Sequence, residues 1–270
     1  MSNIRQIIRR FFHYKRDIKN VWEEYNLINH SLIEAKQLQK NKSYTVPFQR
    51  ELLLNNTIYQ YSDRDIYKFV ARLINEKLPQ KSLVESVAMT ETYLQDLTAL
   101  VYRDYPSKVT HQNADTPQSQ LKLTQLIVNS IDKAEMIEKL IEEKIRGIFY
   151  GNPVDFFTKD KAQIGINDFI KNNCVKGTAE YAEIIARRNI IVHNDSNVDS
   201  KYIKEVTGTT LTAGQKPLTD KPYLRKSIIT LRGAAALSTK LCLENIYNQP
   251  MNNNRIERIA NTAMQFWVGL

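Results

Sequence analysis

Apolar residues recur along this chain at helical spacing, over stretches much longer than a β-strand. At the N-terminus Ile4, Ile7, Ile8, Phe11 and Phe12 follow the pattern, and Ile18, Val21, Trp22, Tyr25 and Ile28 continue it to about residue 39. Only 8 Gly and 8 Pro punctuate 270 residues, and no convincing apolar–polar alternation marks a strand. The expected fold class is therefore all-α.

Local signals divide the rest into further helices. Asn41 to Tyr61 is polar and mixed, and reads as loop with a short helix. Ser62-Asp63-Arg64-Asp65 resembles a capping box opening a helix to about Glu76. Leu78-Pro79 predicts a break, and Ser82-Leu83-Val84-Glu85 predicts a fresh start running to about Arg103. Thr116-Pro117 fits the start of a long helix to Ile145, striped by Leu121, Leu126, Ile127, Ile131, Met136, Leu140 and Ile141. Phe149, Tyr150, Phe156 and Phe157 then read as a lid on the core. A helix from Thr178 to Asn194 stops at Asn194-Asp195-Ser196-Asn197, and Asp199 to Val206 holds one or two turns. Helices from Tyr223 to Tyr247 and from Asn254 to Phe266 finish the chain. The boundary is expected near residue 78: an N-terminal helical arm over 1–78, then a helical bundle over 79–270.

Composition narrows the setting. A hydrophobic fraction of 42% is that of a globular protein, and a formal charge of +9 favours a polyanionic partner such as nucleic acid. The basic face of the first helix fits a nucleic acid or membrane surface, or simply solvent. Cys174 and Cys242 are the only cysteines, which points to a reducing compartment without a disulfide framework. No secretory signal or membrane-length apolar window is visible, so a cytoplasmic protein with no membrane span is expected.

Most common catalytic signatures are missing. Gly147-x-x-x-Gly151 lacks the Lys and the strand-to-helix setting of a phosphate loop, and there is no Gly-x-Ser-x-Gly elbow. His13, His30, His111 and His193 are isolated, without zinc spacing, so no metal and no cofactor is expected. One stretch remains, Ala186-Arg187-Arg188-Asn189-Ile190-Ile191-Val192-His193-Asn194. A ribonuclease working without metal needs a base for the ribose 2′-OH and a cation for the charge that develops at phosphorus. Histidine suits the first task, arginine the second, and a neighbouring amide can orient either.

Arg188-Asn189-Ile190-Ile191-Val192-His193 resembles the Arg-x4–6-His motif of the HEPN superfamily, including the polar residue after the arginine. The resemblance extends from about Ser82 to Leu243 and leaves residues 1–78 outside it. It implies a HEPN-like helical bundle with an N-terminal extension, forming a homodimer whose two motifs share one cleft. The implied activity is metal-independent endoribonuclease, with a 2′,3′-cyclic phosphate product, in a toxin–antitoxin or anti-phage setting with an antitoxin or defence partner. His193 would be the base, Arg188 the transition-state cation and Asn189 the orienting amide. Arg187, Asn194 and Tyr202 would contact RNA. Family members carry a glycine soon after His-Asn, where this chain has Asp195-Ser196-Asn197.

On an ideal helix Asn189 and His193 lie about 40° apart, whereas Arg188 lies about 140° from His193. A site joining Arg188 to His193 is thus more easily built across a dimer. Other readings stand beside this one. Arg188 also fits a structural ion pair, with His193 buried near a helix C-terminus whose negative end favours its charged form, and Tyr202 fits core packing as well as base stacking. The chain as a whole also fits a non-catalytic dimerising module that binds RNA or protein. A third reading is a basic protein that meets DNA or membrane through its N-terminal arm.

Overall fold

The computed structural model describes residues 3–41, 49–51, 58–60, 62–110, 131–150, 152, 154–249 and 254–268. The fold is all-α, and among the described residues the exception is one antiparallel pair of three-residue strands, β1 (Gln49–Glu51) and β2 (Ile58–Gln60). That pair occupies the segment expected to be loop with a short helix.

Helix α1 (Ile4–Lys40) is a single helix of ten turns, as its apolar spacing predicts. Helix α2 (Asp63–Arg72) starts at Ser62, whose side chain accepts from the Asp65 N–H, so the N-cap of the first expected capping box forms, while the Asp65 carboxylate accepts from the Ser62 hydroxyl. The expected break at Leu78-Pro79 does not occur. A π-helical turn over Leu73–Lys77 carries α2 directly into α3 (Leu78–Asp104). The wider turn passes the chain through Pro79, which has no N–H to donate. Ser82 is consequently mid-helix, and its carbonyl accepts from the Ser86 hydroxyl instead of capping anything.

Helix α4 (Ser107–Thr110) is one turn. Thr116-Pro117, Leu121, Leu126 and Ile127 lie outside the described residues. The helix expected to run unbroken to Ile145 instead begins at Lys133 as α5 (Lys133–Phe149), because Asp132 is extended and its carboxylate caps Glu135 N–H. Ile131, placed in the apolar stripe by sequence, is 94% exposed just before it. Tyr150 is exposed as well, while Phe156 and Phe157 of the short α6 (Asp155–Thr158) enter the core. There follow α7 (Asn167–Asn173), α8 (Val175–His193), α9 (Ser200–Glu205), α10 (Lys221–Asn245) and α11 (Asn254–Val268).

One hydrophobic cluster joins α1, α3, α8, α10 and α11. It includes Ile7, Phe11 and Ile18, Leu83, Leu94 and Leu97, Tyr181 and Ile185, Leu231 and Leu237, and Trp267. The segment expected as an arm therefore contributes to the bundle's own core, and the proposed boundary at residue 78 falls inside an unbroken helical run. The start of α1 is also pinned. Asn3 donates through its backbone N–H and its side-chain amide to Asp104, which also accepts from Tyr247 Oη.

Two pairs of buried hydroxyls bridge helices inside this cluster and satisfy one another away from water. Tyr14 Oη meets Thr90 Oγ1 at 2.9 Å and Tyr93 Oη meets Thr239 Oγ1 at 2.5 Å. Burial pushes both phenols well above the ordinary tyrosine range. A smaller cluster of Ala186, Ile190, Val198, Tyr202 and Val206 holds α9 against α8. Among the described residues no helix is long and apolar enough to cross a membrane.

Candidate functional site

Helix α8 carries the whole motif and is regular α-helix to its last residue, His193. Asn194 N–H and Ser196 N–H both donate to Ile190 O, ending the helix. The turn then passes through Asp195 and Ser196, with φ of 46° and 63°. This left-handed region is where a glycine would be at ease, and here two non-glycine residues adopt it. Side-chain bonds hold them there. Lys216 Nζ lies 2.9 Å from Asp195 Oδ2, and Gln80 Nε2 donates to Ser196 Oγ at 3.1 Å. Lys216, helped by Lys77 and Arg72, keeps the Asp195 carboxyl below its ordinary range.

His193 is exposed, and no hydrogen bond or ion pair to its imidazole exists among the described residues. The reading of His193 as a buried histidine is thereby overturned. Asn189 is half-buried one turn earlier, on the same face. Arg188 leaves that face. Its Nη2 donates to Glu91 Oε1 on α3 in a tight ion pair, and its Nε is buried without a hydrogen-bond partner. The side chains of Arg188 and Glu91 are 22% and 27% exposed, so the pair is accessible from one edge only. Burial raises the Glu91 carboxyl above its ordinary range, against the pull of the Arg188 charge and hydrogen bond. Because α8 is regular, Arg188 and His193 keep the angular separation of an ideal helix and do not converge within one chain.

The three residues expected to contact RNA are engaged elsewhere. Arg187 is 8% exposed. Its Nε lies 2.7 Å and its Nη2 2.6 Å from Glu183 Oε1, its Nη1 donates to Leu218 O, and its guanidinium covers the Tyr223 ring at 4.1 Å. Tyr202 is 2% exposed and donates to Glu183 Oε1, while Tyr223 Oη donates to Oε2 of the same carboxylate. Tyr202 therefore follows the core-packing reading and cannot stack on a base in this conformation. Asn194 donates its amide to Asn197 O and accepts from Asn197 Nδ2 through its own carbonyl, which closes the turn. In this conformation Arg187 and Tyr202 are committed to the Glu183 network, and Asn194 to its turn.

The network around Glu183 forms the floor of a groove of 480 Å³ between α8, the 206–211 loop and the start of α10. Every polar atom named there has a partner within the protein, so it locks three segments together. Sequence reading missed Glu183, Tyr223, Glu91 and Gln80. The spacing of Glu183 and Arg187, four apart on one helix, was the one visible signal among them. Among the described residues no group of three or more His, Cys, Asp or Glu side chains is placed to hold a metal ion. Comparison of the chain with protein-family models, curated proteins and solved structures finds no match.

Proposed function

We propose that this chain is a HEPN-like endoribonuclease that cleaves RNA without a metal, and that its active unit is a homodimer. The observation that carries the reading is His193. It ends α8 exposed to solvent, with the half-buried Asn189 amide one turn below it. In the proposed reaction His193 takes the proton of a ribose 2′-OH. The freed oxygen attacks the adjacent phosphorus, the P–O5′ bond breaks, and the departing 5′-oxygen takes a proton from water, so that the products are a 2′,3′-cyclic phosphate and a 5′-hydroxyl. Arg188 stabilises the charge on the phosphoryl oxygens, with Glu91 fixing the guanidinium by one edge. Since the two side chains diverge on α8, Arg188 of one copy serves His193 of the other. The motif's resemblance to HEPN proteins supports a toxin–antitoxin or anti-phage setting for this proposed activity.

A second reading is favoured by the Arg188–Glu91 pair: a module that binds RNA without cutting it, its arginine fully committed to structure. One assay separates the two. The ribonuclease reading expects RNA cleavage in EDTA, reduced about 100-fold or more by His193→Ala or Arg188→Ala in variants that retain the helical circular dichroism of the parent. Equal cleavage by all three proteins rejects it, and RNA binding without cleavage supports the second reading.

A further inference from the structure

We infer that the outward face of the first half of α1, continued by the first turns of α10, is a docking surface for the phosphodiester backbone of RNA. The choice of RNA rests on the ribonuclease reading, whereas the electrostatic case is independent of it. Arg5, Arg9 and Arg16 are all exposed and project within about 40° of one another on α1. Lys19 borders the same stripe. At about 1.5 Å per residue, Arg5 to Arg16 spans roughly 16 Å, the axial length of about five phosphates of one duplex strand.

Helix α10 extends the stripe sideways. Lys221 Nζ lies 5.8 Å from the Trp22 ring, and Tyr14 feels the charge of Arg232, so the two helices run antiparallel with the start of α10 beside Trp22. Arg225, one turn after Lys221, is exposed on the same side. Arg5, Arg9 and Arg225 have no ion-pair partner among the described residues. Arg16 is paired only with its neighbour Asp17, and Lys19 with Glu23, all four side chains being 42–64% exposed. Exposed pairs of this kind exchange readily for a phosphate.

The composition of the face favours a nucleic acid over a lipid surface. The apolar residues of the same turns are turned to the core: Ile7, Phe11, Tyr14 and Ile18 are at most 6% exposed, and Ile4, Ile8 and Phe12 are half-buried against it, so no exposed apolar side chain of these turns is offered to a bilayer interface. Four of the six cations, Arg5, Arg9, Arg16 and Arg225, are arginines, whose forked donors suit phosphate oxygens. Contacts to phosphates position a strand without reading its bases, so the surface is expected to hold RNA irrespective of sequence.

The test uses the full chain and a short, uncleavable 2′-O-methyl RNA, followed by fluorescence anisotropy over a salt series. The variant Arg5→Gln/Arg9→Gln/Arg16→Gln changes only exposed side chains. It is expected to bind at least ten-fold more weakly at low salt and to lower the slope of log K against log salt by about 2, near 0.7 per lost contact. An unchanged affinity and slope overturns the inference. So does wild-type binding to phosphatidylglycerol vesicles with none to the RNA. Weakened binding by the triple variant, in a chain that fails to cleave RNA, upholds the docking surface and rejects only the ribonuclease reading. Normal binding by the triple variant, in a chain that does cleave, does the reverse.

Discussion

Glu91 sits where burial and Arg188 pull its carboxyl in opposite directions. Burial wins, so the folded protein holds this proton more tightly than the unfolded chain does. Its contribution to stability is therefore full below the ordinary carboxylate range and is lost as pH rises through the elevated folded value. Replacing Arg188 by Ala removes both influences that lower it and leaves the burial. The Glu91 titration midpoint should then move further up, as read by carbon-13 NMR of the side-chain carboxyls, and a fixed or lower midpoint would contradict the pairing. This contact was illegible in the sequence because its partners are 97 residues apart. The Glu183–Arg187 pair, one helical turn apart, was legible, but the tyrosines that converge on it from α9 and α10 were not. The part Asn194 plays in the turn was hidden for a similar reason: only the folded turn reveals that its amide donates to Asn197 O.

At the scale of elements, caps and long apolar stripes translated directly. Ser62 and Asp199 cap α2 and α9 at the positions their residue types predict, and α1, α8 and α10 fall within a few residues of expectation. Proline was the misleading signal. Leu78-Pro79 reads as a stop because an α-helix cannot accommodate the ring, and local sequence gives no notice that a π turn will. Two helical glycines give opposite expectations. Nothing lies within 4 Å of a Cβ added at Gly147 on α5, so Gly147→Ala should stabilise by up to about 1 kcal/mol through helix propensity. At Gly177 the added atom would lie 2.3 Å from ring carbons of Trp267, which is 1% exposed. Gly177→Ala should therefore force α11 away from α8 and cost about 1–3 kcal/mol. Denaturant titrations of the two variants, with midpoints displaced in opposite directions, would bear this out; a stabilised Gly177→Ala would refute the close packing.

For the whole molecule, the all-α class was legible from periodicity and scarce turn residues, whereas the union of the N-terminal segment with the bundle was not, since shared burial is a property of the packed chain. If Arg188 of one copy serves His193 of the other, inactive Arg188→Ala and inactive His193→Ala chains should rescue one another when mixed and allowed to exchange subunits. Half the dimers are then mixed and each has one complete site, which gives about a quarter of wild-type cleavage. A mixture as inactive as its components would place both residues of a site in one chain. The positions of the two tryptophans carry a last consequence, an optical one. Trp267 is sealed in the core between Phe157 and Tyr181, while Trp22 is only half-buried, stacked on Tyr25 beside Lys221 and the cationic stripe. With no other indole in the chain, the blue part of the emission reports the seating of the C-terminal helix and the red part reports arrivals at the basic face. The protein thus carries two intrinsic dyes, one for its fold and one for its surface.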